Sequence, residues 1–210
     1  MLRFEGTIPQ DLYIACSGGV DSMAVLSFLM NRANKPRVAY FNHGTAHSNF
    51  ADGFVRAFCD KHSLELTVGH IQRLRGFKES SEEYWRNERY AFLHSLSHPV
   101  VMAHNLNDCM ETWIFTSLHG DGKLIPYRNK NVIRPFRQTT KAEFISWCTR
   151  HGVGWAEDAS NTDTAYARNR IRHNIMPEAL IINPGLEKVI RKKILSDVAD
   201  SQPKSQYLQA

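Results

Sequence analysis

A turn of small residues that contains one carboxylate follows the first apolar stretch of the chain. Its sequence is SGGVDS, residues 17–22, and an apolar pattern with helical spacing begins directly after it. Small residues let backbone N–H groups approach a phosphate closely, and the N-terminus of a helix favours an anion. Asp21 would repel a phosphate unless Mg²⁺ lay between them. The turn therefore predicts a phosphate site, with Asp21 as a metal contact or a helix cap.

This turn differs from the two best-known phosphate-binding motifs. The sequence contains no GxGxxG, and its one Gly-Lys pair, Gly122-Lys123, is followed by Leu124 rather than by Ser or Thr. The turn therefore suits a nucleotide that is bound in another way. The alternative is a glycine-rich turn with serine and aspartate caps and no ligand.

A second group of polar residues begins at the end of a later apolar stretch, PVVMAH at 99–104. The residues that recur from there at helical spacing are His104, Asp108, Glu111 and Phe115. On a helix they would share one face. A histidine with two carboxylates can bind Mg²⁺, orient a base or move protons. The alternative is a capping histidine followed by two solvated acids.

Arginines dominate two further segments. The helix-like SSEEYWRNERYAFLHSL, 80–96, carries Arg86 and Arg89, which can bind a phosphate, although Arg86 is also placed to pair with Glu82. Residues 164–193 contain seven basic and two acidic residues, which account for the whole net charge of +5.

The arginines of the later segment that have aromatic and amide neighbours are Arg168, Arg170 and Arg172. Arginine interleaved with Tyr166 and His173 is typical of a nucleic-acid surface. A solvated helix face is the alternative.

Strand-like and helix-like segments alternate through residue 118. The predicted strands are 12–17, 37–42, 64–70 and 99–104, and the predicted helices are 21–33, 50–62, 80–96 and 105–118. This alternation predicts an α/β fold with a doubly wound, mostly parallel sheet, in which ligands bind at the carboxyl ends of the strands. Residues 119–135 are predicted as a loop. Helices near 140–151, 164–176 and 185–196 predict a small helical C-terminal extension.

Cysteine spacing and hydropathy exclude several classes of protein. Cys16, Cys59, Cys109 and Cys148 form no CxxC pair. This favours reduced thiols and argues against a zinc ribbon or an iron–sulfur site. No apolar run approaches the roughly 18 residues of a membrane span, and the first ten residues lack a secretory apolar core. We therefore expect a cytoplasmic protein with no membrane partner.

The SGGxDS turn after a first strand resembles the signature of the PP-loop ATP pyrophosphatases, a Rossmann-like superfamily that cleaves ATP between the α and β phosphates. The motifs that further resemble the tRNA(Ile)-lysidine synthase family are NHGTAHS at 42–48, the stretch from Glu82 to Tyr90, the stretch from His104 to Thr112, and Glu157 to Pro177. The last of these agrees with the family pattern almost letter for letter. The resemblance covers roughly residues 12 to 177.

The resemblance implies a two-step reaction. ATP adenylylates O2 of the wobble cytidine of an isoleucine tRNA with a CAU anticodon, and pyrophosphate leaves. The ε-amine of free L-lysine then attacks C2 and expels AMP, which leaves lysidine. On this basis the expected cofactors are ATP and Mg²⁺, and the expected partners are that tRNA and lysine.

The same resemblance assigns roles to individual residues. Those assigned to ATP are Ser17, Gly18, Gly19, Val20, Asp21 and Ser22, with Asp21 also contacting Mg²⁺. Those assigned to catalysis are Asp21, His104, Asp108 and Glu111. Those assigned to tRNA phosphates or to the charge leaving on AMP are Arg86, Arg89, Arg168, Arg170 and Arg172.

The chain departs from the family pattern at three points. Asn107 stands where the family has a second aspartate, and HGDG at 119–122 stands where it has RGSG, which predicts a weaker phosphate contact. Many members also carry further C-terminal domains that grip the tRNA, whereas this chain ends soon after the last motif. We therefore expect recognition through less surface, through a partner, or with less selectivity.

We expect three parts along the chain: a PP-loop ATP-binding domain at 1–135, a helical extension at 136–200 that completes the catalytic domain and contacts tRNA, and a disordered tail at 201–210. The sequence does not determine the oligomeric state and leaves a homodimer open. Two other functions also stay open. One is a different PP-loop tRNA enzyme, such as a cytidine thiolase, which the cysteine spacing argues against; the other is a tRNA-binding module without catalysis.

Overall fold

The computed structural model describes residues 2–31, 35–157 and 167–201, with side chains up to residue 197. The tail expected at 201–210 lies outside these ranges apart from Ser201, as do residues 158–166 of the last motif. The strands are β1 Tyr13–Ala15, β2 Arg37–Asn42, β3 Leu66–His70, β4 Val100–Met102, β5 Arg128–Asn129 and β6 Val132–Ile133. The helices are α1 Val20–Met30, α2 Ala46–His62, α3 Ser81–Ser95, α4 Leu106–Leu118, α5 Lys141–His151, α6 Ala167–Arg170, α7 Met176–Ile182 and α8 Leu186–Ser201, with a π-helical turn at Ile171–Ile175.

The predicted parallel sheet is confirmed. The strand order is β3-β2-β1-β4-β6-β5, and every pairing is parallel except that of β5 with β6. The order reverses between β1 and β4, because β2 lies on one side of β1 and β4 on the other. Loops that leave neighbouring strands at such a reversal diverge and open a crevice at their carboxyl ends.

Helices cover both faces of the sheet. Ile14 of β1 packs into a cluster with residues of α1, α2 and α5, whereas its neighbour Tyr13 packs with Tyr90 and Leu93 of α3. Successive side chains of a strand point to opposite faces, so the strands are buried on both sides. This arrangement explains why their sequences are almost continuously apolar.

The loop prediction for 119–135 was wrong in part. Strands β5 and β6 form a hairpin, with Lys130 in its turn at φ = 53°, and β6 extends the sheet beside β4. Each strand has only two residues. Such a length is too short for a period-two pattern, so the hairpin depends on pairing with β4 rather than on a local signal.

The helical C-terminal extension packs against α4. The described part of the predicted helix at 164–176 is α6 followed by the π-helical turn, and helical structure continues through α7. Leu106 and Met110 of α4 share an apolar cluster with Ile171 and with Ile190 of α8. Within the described ranges, none of the helices is both long enough and apolar enough to cross a membrane.

The buried side chain of Arg137 joins three distant parts of the chain. Its guanidinium donates to the Glu5 carboxylate (2.6 Å), the Ile125 carbonyl (2.6 Å) and the Asp197 carboxylate (2.7 Å). Charges are tolerated in such a position only when they are paired and hydrogen-bonded. The contact therefore ties the N-terminal segment and α8 to the loop that follows β6.

Replacing Arg137 with alanine should lower the free energy of unfolding by about 3–5 kcal/mol, because the Glu5 carboxylate would stay buried without its partner. Urea denaturation at pH 7 measures this change. The matched control is Arg128→Ala, which removes an exposed arginine and should change stability by less than about 0.5 kcal/mol. Equal stability of the two variants would contradict the role given to Arg137.

Candidate functional site

The SGGVDS turn connects the carboxyl end of β1 to the start of α1. Gly18 has a φ of 82°, a conformation that favours glycine. The Ser22 hydroxyl accepts from the Ser17 N–H (3.1 Å) and donates to the Gly19 carbonyl (2.9 Å). Ser22 therefore shapes the turn from within, while the Ser17 side chain is exposed. The first N–H groups of α1 have no partner inside the helix, so its positive end borders the crevice.

Asp21, in the first turn of α1, is held by two other elements. Its Oδ2 accepts from Lys141 Nζ of α5 (2.9 Å) and from Asn105 Nδ2 (3.3 Å). Its Oδ1 is buried and has no hydrogen-bond partner among the described residues. Burial raises the pKa of this carboxyl, although the charges of Lys141 and Arg172 oppose the shift. One oxygen of a half-buried carboxylate is thus left for a ligand.

The second predicted group begins before helix α4 rather than on it. Asn105 caps the helix: its side chain accepts from the Asp108 N–H, and Asp108 Oδ2 accepts from the Asn105 N–H, both at 2.9 Å. Asparagine favours this capping position. His104 therefore lies in the extended segment after β4, and the expectation that it shares the helical face of Asp108 and Glu111 was wrong. His104 and Asp108 nevertheless line the same cavity.

Asp108 is the carboxyl group whose ionisation is most clearly perturbed. Burial, and after it the negative charge of Asp21, raises its pKa to about 7. The side chain is 24% exposed toward the crevice, so it is reachable by a ligand. An acid with this pKa can hold or release a proton near neutral pH.

Glu111 is paired with an arginine from the C-terminal segment. Arg172 donates to both of its carboxylate oxygens, at 2.7 and 2.9 Å, and the Glu111 side chain is only 3% exposed. The hydrogen bonds that Arg172 donates to Glu111 raise the pKa of the arginine. Arg172 also lies 3.9 Å from Asp108. Its predicted contact with tRNA stays a prediction, and in this structure its guanidinium borders the crevice.

A cluster of arginines surrounds the ring of Tyr90 on α3, and its member Arg89 lines the cavity. The Nε of Arg89 on α3 is buried without a hydrogen-bond partner among the described residues. Arg134 is buried and donates to the Tyr90 hydroxyl (2.7 Å), while Arg86 lies over the Tyr90 ring at 4.8 Å. Burial and the neighbouring arginines lower the pKa of Arg89. A group of like charges with an unused donor is the arrangement expected of an anion site.

Arg168 lies on the C-terminal segment, beside the start of α3. Its Nε lies 3.2 Å from a carboxylate oxygen of Glu82 at the start of α3. Sequence spacing favoured Arg86 as the partner of Glu82, and the structure pairs Glu82 with Arg168 instead. Two ion pairs, one to α3 and one to α4, therefore hold the segment that carries Arg168 and Arg172.

Two histidines near the arginines are held uncharged. Burial, and next the charge of Arg134, lowers the pKa of His104 well below its usual value. Burial and Arg89 lower the pKa of His43 to about 4. The Nδ1 atoms of both rings are buried without a hydrogen-bond partner within the described part of the chain. Each ring can therefore make one further hydrogen bond to a ligand.

These groups surround one cavity of about 720 Å³, a volume within the range of ligand-binding pockets. The predicted site residues that line it are Ser17, Gly19, Val20, Asp21, Ser22, Arg89, His104, Asp108 and Arg172. Glu111 does not line the cavity but pairs with Arg172, which does. Gly18 does not line it either, and its positive φ shapes the turn. Arg170 is exposed and has no ion-pair partner among the described residues.

Sequence reasoning missed three cationic or polar residues of the site. Lys141 pairs with Asp21 across 120 positions of sequence, and no local motif marks it. His43 belongs to the NHGTAHS stretch at the carboxyl end of β2, where its position could have identified it. Arg134 lies in a stretch predicted as loop, and its burial depends on the hairpin that the prediction omitted.

The two point departures from the family pattern lie outside the cavity. Asn107 Oδ1 accepts from the Lys141 N–H (3.0 Å), a contact that an aspartate oxygen would make equally well. His119 caps the far end of α4, where its Nδ1 donates to the Phe115 carbonyl (2.7 Å). At 1.5 Å per residue, that end lies roughly 20 Å from the N-terminus of α4.

Comparison with known proteins agrees with these motifs. The profile of the PP-loop domain family matches residues 4–179. The tRNA(Ile)-lysidine synthase of Pseudothermotoga lettingae is 29% identical over 191 residues, which is 83% of this chain and 43% of that protein. The protein of the same name from Nitrosomonas europaea is 29% identical over 85% of this chain and 43% of its own length. That from Lactiplantibacillus plantarum is 30% identical over 85% and 44% respectively.

The chain thus spans less than half the length of these curated relatives. The family profile, however, covers most of the chain, including the SGGVDS turn, the residues that line the cavity and the start of the C-terminal helices. The resemblance first drawn from the sequence motifs is confirmed, and the chain belongs to the PP-loop domain family.

Proposed function

We propose that the chain ligates free lysine to C2 of the wobble cytidine of an isoleucine tRNA with a CAU anticodon, using ATP and passing through an adenylylated cytidine. The observation that carries this proposal is that motifs from five separate parts of the sequence converge on one cavity. Similarity to proteins named tRNA(Ile)-lysidine synthase supports tRNA and lysine as the substrates.

In this proposal the phosphates of ATP bind at the SGGVDS turn. The donors would be the Ser17 hydroxyl and the backbone N–H groups at the start of α1, where the helix dipole favours negative charge. Gly18 and Gly19 have no side chain to obstruct the phosphates. Lys141 would add positive charge from the neighbouring helix α5.

Mg²⁺ fits the free oxygen of Asp21. Within the described residues, no three His, Cys, Asp or Glu side chains are grouped so that they could hold a metal by themselves. Mg²⁺ commonly binds through one or two carboxylates together with phosphate oxygens and water. Asp21 Oδ1 with the nucleotide would supply such a set. The ion when bound would neutralise charge at the phosphates.

The arginine cluster around Tyr90 would face the anionic parts of the other substrates. Arg89 and the uncharged rings of His43 and His104 have unused polar atoms beside the cavity. They would bind the charge that leaves on AMP or a phosphate of the tRNA. Arg168 and Arg170 would extend this surface beyond the cavity, on the helical part that we propose completes the catalytic domain.

Asp108 is the group we assign to accept the proton that the lysine ammonium must lose before it attacks. His104 is a poor acceptor because its pKa is far too low, and Glu111 is engaged by both Arg172 nitrogens. The pKa of about 7 makes Asp108 a better base near neutral pH than an ordinary aspartate.

The structure weakens the two alternative functions. Burial raises the pKa of all four thiols, and each is buried and free, so no described cysteine is suited to carry sulfur for thiolation. The non-catalytic binding module was considered because the chain departs from the family pattern at Asn107 and His119. Neither of these residues lines the cavity, so neither change removes a group from it.

The proposal is tested by incubating the purified chain with ATP–Mg²⁺, lysine and isoleucine tRNA with a CAU anticodon. We expect mass spectrometry of the digested tRNA to detect a lysine adduct on the wobble cytidine that requires both ATP and lysine, with AMP released. Asp21→Asn, which keeps the side-chain shape, should abolish AMP release and leave tRNA binding nearly unchanged.

Other outcomes of this assay are equally informative. AMP release without an adduct would indicate another nucleophile. Binding of tRNA without AMP or adduct would favour the non-catalytic module. Full activity of the Asp21→Asn variant would contradict the metal contact.

Asp108→Asn should become more stable relative to the wild type as the pH rises from 5 to 8. The folded protein disfavours the charged form of Asp108, so ionisation of this group costs stability between its unfolded pKa, near 4, and its folded pKa, about 7. Asparagine cannot ionise and can still accept the capping hydrogen bond. Because the side chain is 24% exposed, we expect a gain on the order of 1 kcal/mol.

Thermal melts in EDTA at both pH values measure this gain, with the exposed Asp60→Asn as the matched control. The same Asp108 variant should form adenylylated tRNA but slow the lysine-dependent step. A stability difference that does not vary with pH would reject the assignment of the raised pKa.

Arg170→Ala should weaken tRNA binding and reduce the slope of log affinity against log salt concentration by about 0.7–0.9, the value for one lost phosphate contact. Its melting temperature should stay unchanged, since Arg170 is exposed. Arg172→Ala should instead lower the melting temperature, because Glu111 would stay buried without its partner. A salt slope that is the same for Arg170→Ala and the wild type would remove Arg170 from the tRNA surface.

A further inference from the structure

The loop at 72–79, between β3 and α3, exposes its apolar side chains more fully than any other described part of the chain. Leu74 is 91% exposed and Phe77 is fully exposed, at 102%. Isolated exposed apolar residues are common on protein surfaces. Two such residues at the tip of one short loop indicate a binding surface when the loop is held in a fixed conformation.

The base of this loop is clamped by Arg73. The guanidinium donates to both carboxylate oxygens of Glu79, each at 2.7 Å, and lies 2.9 Å from Glu88. It also stacks over the ring of Tyr84 at 4.9 Å. The Arg73 pairing, more than any other cause, lowers the pKa of Glu79 to about 2. The clamp therefore fixes a conformation in which the tip residues do not pack on the protein.

The positive charge at the tip of the loop favours the binding of a polyanion. Arg73 is neutralised by Glu79 and Glu88, whereas Arg75 and Lys78 form no ion pair among the described residues, and Arg75 donates only to the Ser81 hydroxyl (2.5 Å). An exposed aromatic ring flanked by unpaired cations is the combination that stacks on an unpaired base and contacts its phosphates.

The loop lies at the same edge of the sheet as the cavity. Strands β1, β2 and β3 are parallel, so the loops that follow β1 and β3 leave from the same side, about 10 Å apart at the usual strand spacing. The loop is also bonded to α3, because Gln72 N–H donates to Glu88 (2.9 Å), and the next residue of that helix, Arg89, lines the cavity.

We propose that the 72–79 loop is a base-stacking arm, in which Phe77 stacks on an unpaired nucleotide beside the target cytidine while Arg75 and Lys78 contact the adjoining phosphates. This inference rests on the proposed function for the identity of the RNA. It adds a specificity-determining contact outside the cavity: a single-stranded loop can present neighbouring bases to the arm, and a duplex cannot.

The test uses the full chain and an anticodon stem-loop RNA with a CAU loop, in which 2-aminopurine replaces the adenosine of the anticodon. We expect Phe77→Ala to raise the Kd roughly 10-fold or more, the loss typical of one stacked base, with an unchanged salt slope. Phe77→Trp should retain wild-type affinity and the change in 2-aminopurine fluorescence on binding, which Phe77→Ala should lose. The double variant Arg75→Gln, Lys78→Gln should reduce the salt slope by about 1.4.

The matched control is Phe50→Ala, which removes a phenylalanine that is 64% exposed on α2 and should bind as the wild type does. Wild-type RNA binding with no effect of Phe77→Ala would overturn the arm and leave the proposed function standing. Failure of the wild type to bind this RNA would overturn both. Binding of the wild type to anionic phospholipid vesicles that is lost in Phe77→Ala, with RNA affinity unchanged, would reassign the loop to a membrane surface and overturn the proposal.

Discussion

The pair between Glu111 and Arg172 is the interaction on which the shape of the site depends. Its carboxylate is nearly inaccessible to solvent, and its guanidinium comes from a segment 61 positions further along the chain. A carboxylate buried without a partner costs several kcal/mol, so α4 and the C-terminal helices must stay together. The same constraint places Arg172 beside Asp108, and the pair between Arg168 and Glu82 then fastens the segment to α3.

Carboxylates and cations meet in the lining of the cavity. Asp21 and Asp108 lie close together there, with Lys141 and Arg172 beside them. Burial, and after it the negative charge of Asp21, raises the pKa of Asp108. Burial, and after it the charge of nearby arginines, lowers the pKa of His43 and of His104 and keeps both rings uncharged. Such strained ionisation is characteristic of functional sites. A cation bound at Asp21 would reduce the repulsion between Asp21 and Asp108, and a phosphate would interact favourably with Arg89.

The positions of the residues that depart from the family pattern change how those departures are understood. A missing aspartate or arginine suggests lost catalysis when only the sequence is read. The Asn107 side chain, however, accepts a hydrogen bond from the Lys141 N–H at the start of α5. The Lys141 side chain in turn donates to Asp21. The amide therefore helps to position the helix that brings a cation to the SGGVDS turn. His119 lies at the opposite end of α4, so its effect on the cavity is remote.

The sequence by itself determined the elements that have a local cause. Apolar runs and helical patterns located four of the five parallel strands and the helices that follow them. Ser80 marked the start of α3, and SGGVDS marked the turn at the end of β1. Contacts between distant residues have no such local signal. Tertiary packing decided three features. These are the pairing of the two-residue strands β5 and β6, the contact of Lys141 with Asp21, and the pairing of Arg172 with Glu111. The physical reason is that a local pattern records which face of an element is buried, whereas the partner of a buried charge is chosen by whichever opposite charge the completed fold brings within hydrogen-bond distance.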